Sequence, residues 1–299
     1  MSALKIAIVQ EEPVFFNLEE SLSKALTIID KAAALGTKLV VFGETWLTGY
    51  PAFLDYAKNV TEWDGDALKK VFARMYENSV DVNGIELKAL CAKAKEHKIN
   101  IVMGINEKAK QPDGTIYNSI VTINEKGQLA NHHRKLVPTF AEKLVYGIGD
   151  GNGLKSVETS FGKLGSLVCW EHWMPNARQA LHIEGELIHV ACWPTAHEKH
   201  QLASRQYAFE GRCFVIAVGQ MLQNKQLPKE LEYPTGFNEN DWILTGGSAV
   251  IGPDAEYLLK PQFNKNETLY FEIENLEKAI EEKMTLDVAG HYYRPDVFK

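Results

Sequence analysis

Short apolar runs rich in β-branched residues alternate with segments of helical periodicity along almost the whole chain. The runs LKIAIV and KLVVF near the N-terminus predict strands that are buried on both faces. Between them, the segment Asn17–Leu35 repeats apolar residues at helical spacing and is followed by Gly36, a residue typical of helix ends. Strands of this kind occur in sheets that helices cover. The alternation therefore predicts an α/β fold.

The same alternation continues to the C-terminal part of the chain. Further helices are predicted at residues 64–78, 84–97, 176–184, 200–211 and 275–284, and strands in NIVMGI, KSVETSFGKLGSLVC, ELIHVAC, CFVIAVGQ and ETLYFEI. IYNSIVTI with LANHH and the segment GGSAVIGPDAEYLL predict hairpins. Since no linker and no internal repeat interrupts the pattern, we expect a single domain over residues 1–299. Residues 221–245 are predicted to be irregular, as a lid, a contact surface or a surface insertion.

Charge and cysteine content exclude several classes of protein. The chain has 32 Lys and Arg against 39 Asp and Glu, a net charge of −7, so we expect neither a nucleic-acid nor a membrane partner. No run approaches the ~20 apolar residues of a membrane span, and the first residues show no signal-peptide pattern. Cys91, Cys169, Cys192 and Cys213 are widely spaced, which argues against a disulfide framework or a zinc site and predicts a cytoplasmic location.

Three reactive side chains follow apolar runs directly. KLVVFGE ends on Glu44, LANHHRK on Lys135 and GSLVC on Cys169. Alone, each has an ordinary alternative: a helix cap or turn, a surface position, and a core position. Together they form a chemical set, because a carboxylate can take the proton of a thiol while an ammonium stabilises the thiolate and an anion formed on attack. Ligands bind at strand ends in α/β sheets, so we expect the three to meet there.

Longer motifs around these residues resemble a known family. FGETWLTGYP, HRKLVPTFAEKLVYGIGDG and SLVCWEHWMP are similar to the three signature blocks of the nitrilases, a branch of the carbon–nitrogen hydrolase superfamily. ACWPT and DVAGHYYRPDVF also resemble nitrilase segments, so the resemblance extends over nearly the whole chain. It implies an α/β fold of the four-layer αββα sandwich type.

The resemblance also implies residue roles. Glu44 is expected to be the general base, Lys135 the cationic stabiliser and Cys169 the nucleophile. Glu142 matches a second glutamate that orients the site or transfers protons. The backbone N–H of Trp170 is expected to act with Lys135 on the developing negative charge.

Other aromatic and polar residues near these motifs have less specific signals. Tyr50 and Trp193 are predicted to line a substrate pocket, whereas Phe53 and Tyr56 are predicted to pack in the core. We place His172 among the substrate-site residues, with a buried or helix-start histidine as the alternative.

Further charged residues flank the same motifs. Glu171 is expected to brace Lys135 or a neighbour, or else to cap the entrance of a helix. His132 and His133 alternate on a strand, so only one of them can face inward. His197 and His200 are predicted at the surface near a helix start.

The implied reaction is the hydrolysis of a small organic nitrile to the carboxylic acid and ammonia through covalent thioimidate and thioester intermediates at Cys169. No metal and no organic cofactor is expected. An amidase or carbamoylase with the same Glu–Lys–Cys site stays open, as does a non-catalytic binding or assembly protein. The resemblance implies a homodimer or higher homo-oligomer. Many nitrilases have a longer C-terminal extension that supports spiral assembly, so we expect no extended filaments here.

Overall fold

The computed structural model describes residues 3–111 and 113–298. The strands are β1 Leu4–Val9, β2 Leu39–Phe42, β3 Asn100–Lys108, β4 Ile116–Ile123, β5 Leu129–Arg134, β6 Val157–Thr159, β7 Gly162–Val168, β8 Ile188–Cys192, β9 Phe214–Val218, β10 Met221–Gln223, β11 Trp242–Ile251, β12 Tyr257–Phe263 and β13 Thr268–Ile273. The helices are α1 Leu18–Ala34, α2 Phe53–Tyr56, α3 Asp66–Glu77, α4 Ile85–His97, α5 Pro175–Glu184, α6 Glu198–Gly211 and α7 Lys278–Lys283. Three short 3₁₀ turns span Phe140–Leu144, Cys169–Trp173 and Asn224–Gln226.

The strands form two mixed sheets. The first has six strands in the order β13-β1-β2-β3-β4-β5, and the second has seven, in the order β10-β11-β9-β8-β7-β6 with β12 beside β11. In the first sheet β1, β2 and β3 are parallel, and in the second β7, β8 and β9 are parallel. The remaining pairings are antiparallel. Each sheet thus has a parallel centre, which explains why its strands are apolar on both faces.

Alternation along β1 shows how the layers form. Leu4, Ile6 and Ile8 point to one face and pack in a core shared with residues of the second sheet. Ala7 and Val9 point to the other face and pack against α1 and α4. Helices α5 and α6 cover the outer face of the second sheet through residues such as Leu181, Ala203 and Tyr207. The result is the predicted four-layer αββα sandwich.

The ends of the predicted helices agree closely with the structure. Helix α1 begins after Asn17, whose side chain accepts a hydrogen bond from Glu20 N at 3.1 Å. Helix α5 begins with Pro175, which needs no backbone N–H in the first turn, and ends at Gly185 with φ +75°. Both devices are visible in the sequence, and for that reason the boundaries could be predicted.

The region 221–245 is more regular than predicted. Strand β10 and the 3₁₀ turn after it lie inside this region, and β11 begins at Trp242. Leu222 pairs with Leu244, so the two ends of the region close a short antiparallel ladder. Because the residues between them are rich in Pro and Asn, the sequence pattern did not predict β10 or the first residues of β11. Within the described residues, no helix combines the length and the apolar character needed to cross a membrane.

Candidate active site

The loops after β2, β5 and β7 bring the three predicted catalytic side chains together. Lys135 Nζ lies 2.9 Å from Glu44 Oε1, and the charges of both residues act on the Cys169 thiol. The side chains of Lys135 and Glu44 are almost completely buried, and Cys169 is 3% exposed. Gly104 on β3 lets the backbone around Glu44 lie close against that strand, because a Cβ there would lie 2.2 Å from the carbonyl oxygen of Gly43. The strand ends therefore converge as the sequence predicts.

Glu142 completes a buried carboxylate–ammonium–carboxylate cluster. Lys135 Nζ donates to Glu142 Oε1 at 2.9 Å and to Glu142 Oε2 at 2.7 Å. The 3₁₀ turn Phe140–Leu144 presents this carboxylate inward, and Thr139 N and Tyr50 Oη each donate to it at 2.9 Å. An exposed position, the ordinary alternative for a glutamate in such a turn, is excluded because Glu142 is 3% exposed.

The Glu44 carboxylate combines a raised pKa with one free oxygen. Burial raises the pKa of Glu44 to about 7, with a contribution from Glu142, although the Lys135 charge opposes the rise. Asn118 Nδ2 donates to Oε1 at 2.7 Å, and Gln220 Nε2 holds the backbone oxygen of Glu44 at 2.6 Å. Oε2 has no hydrogen-bond partner among the described residues. A carboxylate of this kind can act as a general base near neutral pH.

Cys169 lies at a strained turn between β7 and the 3₁₀ turn Cys169–Trp173. Its φ of +51° is in the left-handed region, which a residue with a side chain adopts only when its surroundings enforce it. Burial and the Glu44 charge raise the pKa of the Cys169 thiol, whereas Lys135 and a hydrogen bond from the Trp170 backbone N–H oppose the rise. The resting thiol is therefore protonated, and its ionisation requires a base.

Lys135 stays charged in spite of its burial. Burial alone lowers the pKa of this ammonium, but Glu44, Cys169 and Glu142 together raise it above its usual value. The site therefore holds a permanent cation beside the thiol. A fixed positive charge in a dry site is suited to stabilise negative charge that develops during attack.

Cys169 opens onto a cavity of about 300 Å³. Tyr50, Glu142 and Trp170 line it near the sulfur, and Ile243 and Leu244 supply apolar surface. The size suits a small organic molecule. No group of three or more His, Cys, Asp or Glu side chains within residues 3–111 and 113–298 is arranged to hold a metal ion.

Comparison with known proteins identifies the family of this chain. Residues 5–280 match the carbon–nitrogen hydrolase family. The chain belongs to that family. A Bradyrhizobium diazoefficiens protein named nitrilase is 34% identical over 297 residues, which cover 99% of this chain and 90% of that protein. A Nicotiana tabacum bifunctional nitrilase/nitrile hydratase is 32% identical over 302 residues, covering 98% and 84%.

Solved structures support the fold of this hydrolase. A carbon–nitrogen hydrolase from Helicobacter pylori has a TM-score of 0.71 at 22% identity, covering 99% of this chain and 97% of that one. Saccharomyces cerevisiae Nit3, a member of the nitrilase superfamily, also has a TM-score of 0.71 at 20% identity, covering 98% and 97%. The protein is thus an enzyme of the carbon–nitrogen hydrolase type with the αββα sandwich.

Two predicted substrate-site residues of the hydrolase lie behind the cavity. Trp193 is completely buried, stacks on His200 with ring centroids 4.4 Å apart, and donates to Ser204 Oγ at 3.2 Å. His172 is 1% exposed, and its Nδ1 lies 2.7 Å from the backbone oxygen of Cys169. Tyr50 and Trp170 do line the cavity. The roles of all four, and of the four catalytic candidates, stay predictions that the experiments below test.

Two predicted environments near the cavity are wrong. Tyr56 does not pack in the core with Phe53, because it is 43% exposed and lines the cavity mouth. His200 is not a freely exposed residue: it is half-buried, stacks on Trp193, and its Nδ1 contacts Thr195 O at 2.6 Å.

The charged residues of the β5 strand and the Cys169 turn behave as predicted. Only His133 of the two neighbouring histidines faces inward, where its Nε2 lies 2.9 Å from Glu171 Oε1. Glu171 braces the residue next to Lys135, since it accepts from Leu136 N at 2.8 Å.

Sequence reasoning missed Asn118 and Gln220, which hold Glu44 from two different strands or loops. Asn118 is a buried amide in the mainly apolar strand β4, and a buried polar residue of that kind is a usable signal. Gln220 offers no comparable signal, because it follows β9 at a loop where polar residues are common.

Proposed function

We propose that this hydrolase converts a small organic nitrile to the carboxylic acid and ammonia. The contact of Lys135 Nζ with Glu44 and Glu142 beside Cys169 carries the proposal. Together these residues supply a base, a buried cation and a nucleophile at a cavity of suitable size. Relatives of 32–35% identity that are named nitrilases favour a nitrile as the substrate.

In the first step, Glu44 Oε2 accepts the thiol proton of Cys169 while sulfur attacks the nitrile carbon. One bond of the C≡N group breaks, and its electron pair moves to nitrogen. Lys135 Nζ and the Trp170 backbone N–H stabilise that charge. The proton held by Glu44 then passes to nitrogen, which gives a neutral thioimidate.

In the second step, Glu44 accepts a proton from water, and the hydroxyl adds to the thioimidate carbon while the π pair of the C=N bond moves to nitrogen, which takes the proton from Glu44. The resulting tetrahedral carbon bears sulfur, oxygen and nitrogen. Glu44 then takes the hydroxyl proton and passes it to the amine nitrogen; the C=O bond forms as the C–N bond breaks, ammonia leaves, and a thioester remains. A second water, activated in the same way, releases the carboxylic acid and restores the thiol of Cys169.

The tetrahedral carbon can also expel sulfur, and the product is then an amide. The outcome depends on which leaving group receives a proton first. Glu142 shares the Lys135 ammonium with Glu44 and is therefore placed to influence that proton. The name of the tobacco relative, a bifunctional nitrilase/nitrile hydratase, covers both outcomes for that protein.

The test measures ammonia and acid from a panel of aliphatic and aromatic nitriles against the matching amides. We expect acid from nitriles and none from the Cys169→Ala variant. Hydrolysis of the amides with the nitriles untouched would instead favour an amidase or carbamoylase. No turnover of either, with no adduct at Cys169, would favour a binding protein.

We further propose that the chain acts as a single domain in a homodimer. Ile183 on α5 and Leu202 and Phe209 on α6 are about half exposed, which is unusual for apolar side chains on neighbouring helices. Light scattering after size exclusion tests the dimer. All four cysteines are free, which favours the proposed cytoplasmic location.

A further inference from the structure

A line of buried polar groups extends from α5 and β8 to the backbone of the nucleophile. Glu186 Oε2 lies 2.8 Å from His189 Nδ1, and His189 Nε2 lies 2.9 Å from His172 Nε2. His172 Nδ1 lies 2.7 Å from the carbonyl oxygen of Cys169. We call Glu186, His189 and His172 the histidine network. Its members are at most 3% exposed, and none of them lines the cavity.

The contacts determine which ring nitrogens donate. His172 Nδ1 faces a carbonyl oxygen, which only accepts, so this nitrogen must donate. Burial and the neighbouring His189 hold the pKa of His172 well below its usual range, so the ring is neutral and its Nε2 accepts. His189 Nε2 must then donate to His172. The carboxylate of Glu186 accepts from the other nitrogen of His189, so both His189 nitrogens donate and its ring is the doubly protonated form that this carboxylate holds.

Glu186 is itself held as an anion. Burial raises its pKa, but His189 and His182 outweigh burial and lower the pKa of Glu186 to about 2. The hydroxyl of Tyr207 donates to the same carboxylate. The tautomer of His172 is therefore set by a charge that lies outside the active-site cavity.

The carbonyl held by His172 belongs to the peptide unit that carries the Trp170 N–H. In a planar trans peptide these two groups point in opposite directions. A hydrogen bond that fixes the Cys169 oxygen on the helix side therefore directs the Trp170 N–H towards the sulfur, where the structure places it. The same bond supports the strained φ of +51° at Cys169.

We propose that His172 is a positioning residue that aims the Trp170 N–H at the substrate atom on which negative charge develops, and that Glu186 and His189 set the tautomer it needs. The proposal rests on the proposed nucleophilic chemistry of Cys169. It assigns a function to a histidine that neither touches the substrate nor transfers its protons.

The test compares reactions that develop negative charge beside the Trp170 N–H with one that does not. Cyanopyridine and p-nitrophenyl acetate both place charge on nitrogen or oxygen when Cys169 attacks. Iodoacetamide alkylates the same sulfur by displacement of iodide and needs no such donor. Rapid quench and peptide-resolved mass spectrometry give each rate at Cys169 over the same pH series, so that differences in thiol ionisation are seen as a change common to all three reactions.

His172→Phe keeps a buried ring and removes the N–H. We expect the rates with cyanopyridine and the ester to fall about 10- to 100-fold, since loss of one such donor costs about 10²–10³. Iodoacetamide alkylation should stay within about threefold of the unmodified protein, because that reaction bypasses the donor. Phe214→Leu is the matched control: Phe214 is buried in the same core, its side chain has no hydrogen-bonding group, and its replacement should leave all rates unchanged.

An equal loss in all three reactions would mean that His172 only places the thiol, and unchanged rates would mean that it does nothing; either result overturns the proposal. If wild-type Cys169 reacts with the ester and not with the nitrile, the proposed function fails while the positioning test still stands.

A second pair of variants gives the answer if His172→Phe does not fold. His189→Gln keeps an N–H towards His172, and His189→Phe removes it. We expect His189→Gln to retain most of the cyanopyridine and ester rates and His189→Phe to lose about tenfold, with alkylation unchanged in both. Equal rates for the two variants would overturn the tautomer argument.

Discussion

Replacement of Lys135 by alanine tests the electrostatics of the site most directly. The ammonium contacts Glu44 at 2.9 Å and Glu142 at 2.7 Å, and all three side chains are at most 3% exposed. Its removal leaves two carboxylates in a buried space. Loss of one partner of a buried ion pair costs about 3–5 kcal/mol. The same change removes a stabiliser of the developing charge, so we expect kcat/KM to fall about 10³-fold or more.

The stability loss should depend on pH in a defined direction. Burial already raises the pKa of Glu44 to about 7, and the Lys135 charge opposes that rise, so the variant must have a higher value. The folded variant then keeps a proton above pH 7 that the unfolded chain has released. Its stability falls with rising pH in that window, while the wild-type protein has levelled off. The difference should grow by up to about 1.4 kcal/mol per pH unit.

Two assays provide the measurement: urea unfolding at pH 6.5 and 8.5, and kinetics on the nitrile of the panel that reacts fastest. Lys143→Ala is the matched control, because Lys143 is exposed in the same 3₁₀ turn and should change neither quantity. The role assigned to Lys135 is refuted if its variant keeps kcat/KM within about tenfold of wild type. It is equally refuted if the stability difference is the same at both pH values.

Three further predictions follow from the same contacts. Because the base must be ionised, kcat/KM should rise with pH through about 7. Glu44→Gln should remove this rise together with nearly all turnover. A flat wild-type profile from pH 5 to 9 would contradict the role of Glu44 as the base. Asn118→Ala removes a hydrogen bond that lowers the pKa of Glu44, so the rise of kcat/KM with pH should move to higher pH. A rise at the same or a lower pH would show that Asn118 does not lower the pKa of the base. Cys169→Ala should fold and lack turnover. Cys192→Ala removes a buried thiol beside Phe42 O, so it should lose about 1 kcal/mol of stability and keep its kcat. Comparable kinetic losses in the two variants would contradict the role of Cys169 as the nucleophile.

The sequence predicted the fold and the central site well because both depend on local patterns. Periodicity of 2 and 3.6 residues marks strands and helices, and the charged residue at the end of a strand must lie at an edge of the sheet. Glu44, Lys135 and Cys169 each have this position after β2, β5 and β7. Their convergence needed only the assumption that the three strand ends meet.

The burial of Trp193 follows from the alternation of side chains along β8. Its backbone N–H continues the ladder of β8 by donating to Val218 O at 2.9 Å. Its side chain therefore shares a face with His189 and Ala191, which is the face that α6 covers. An aromatic residue at a strand end suggested a pocket, but the parity of the strand placed it under a helix. The same parity brings His189 next to His172.

The partners of Glu44 could not be predicted in this way, since they depend on how separate loops pack. Gln220 is distant from Glu44 in sequence and lies in the loop after a strand of the other sheet, yet its side chain donates to the Glu44 backbone oxygen at 2.6 Å. Such contacts have little periodic signal, but they decide how dry the site is. Dryness in turn raises the pKa of Glu44 and of the Cys169 thiol together. Because burial keeps the thiol protonated and Glu44 Oε2 has no hydrogen-bond partner among the described residues, the proposed mechanism requires the Cys169 proton to move to this carboxylate as sulfur attacks the nitrile carbon.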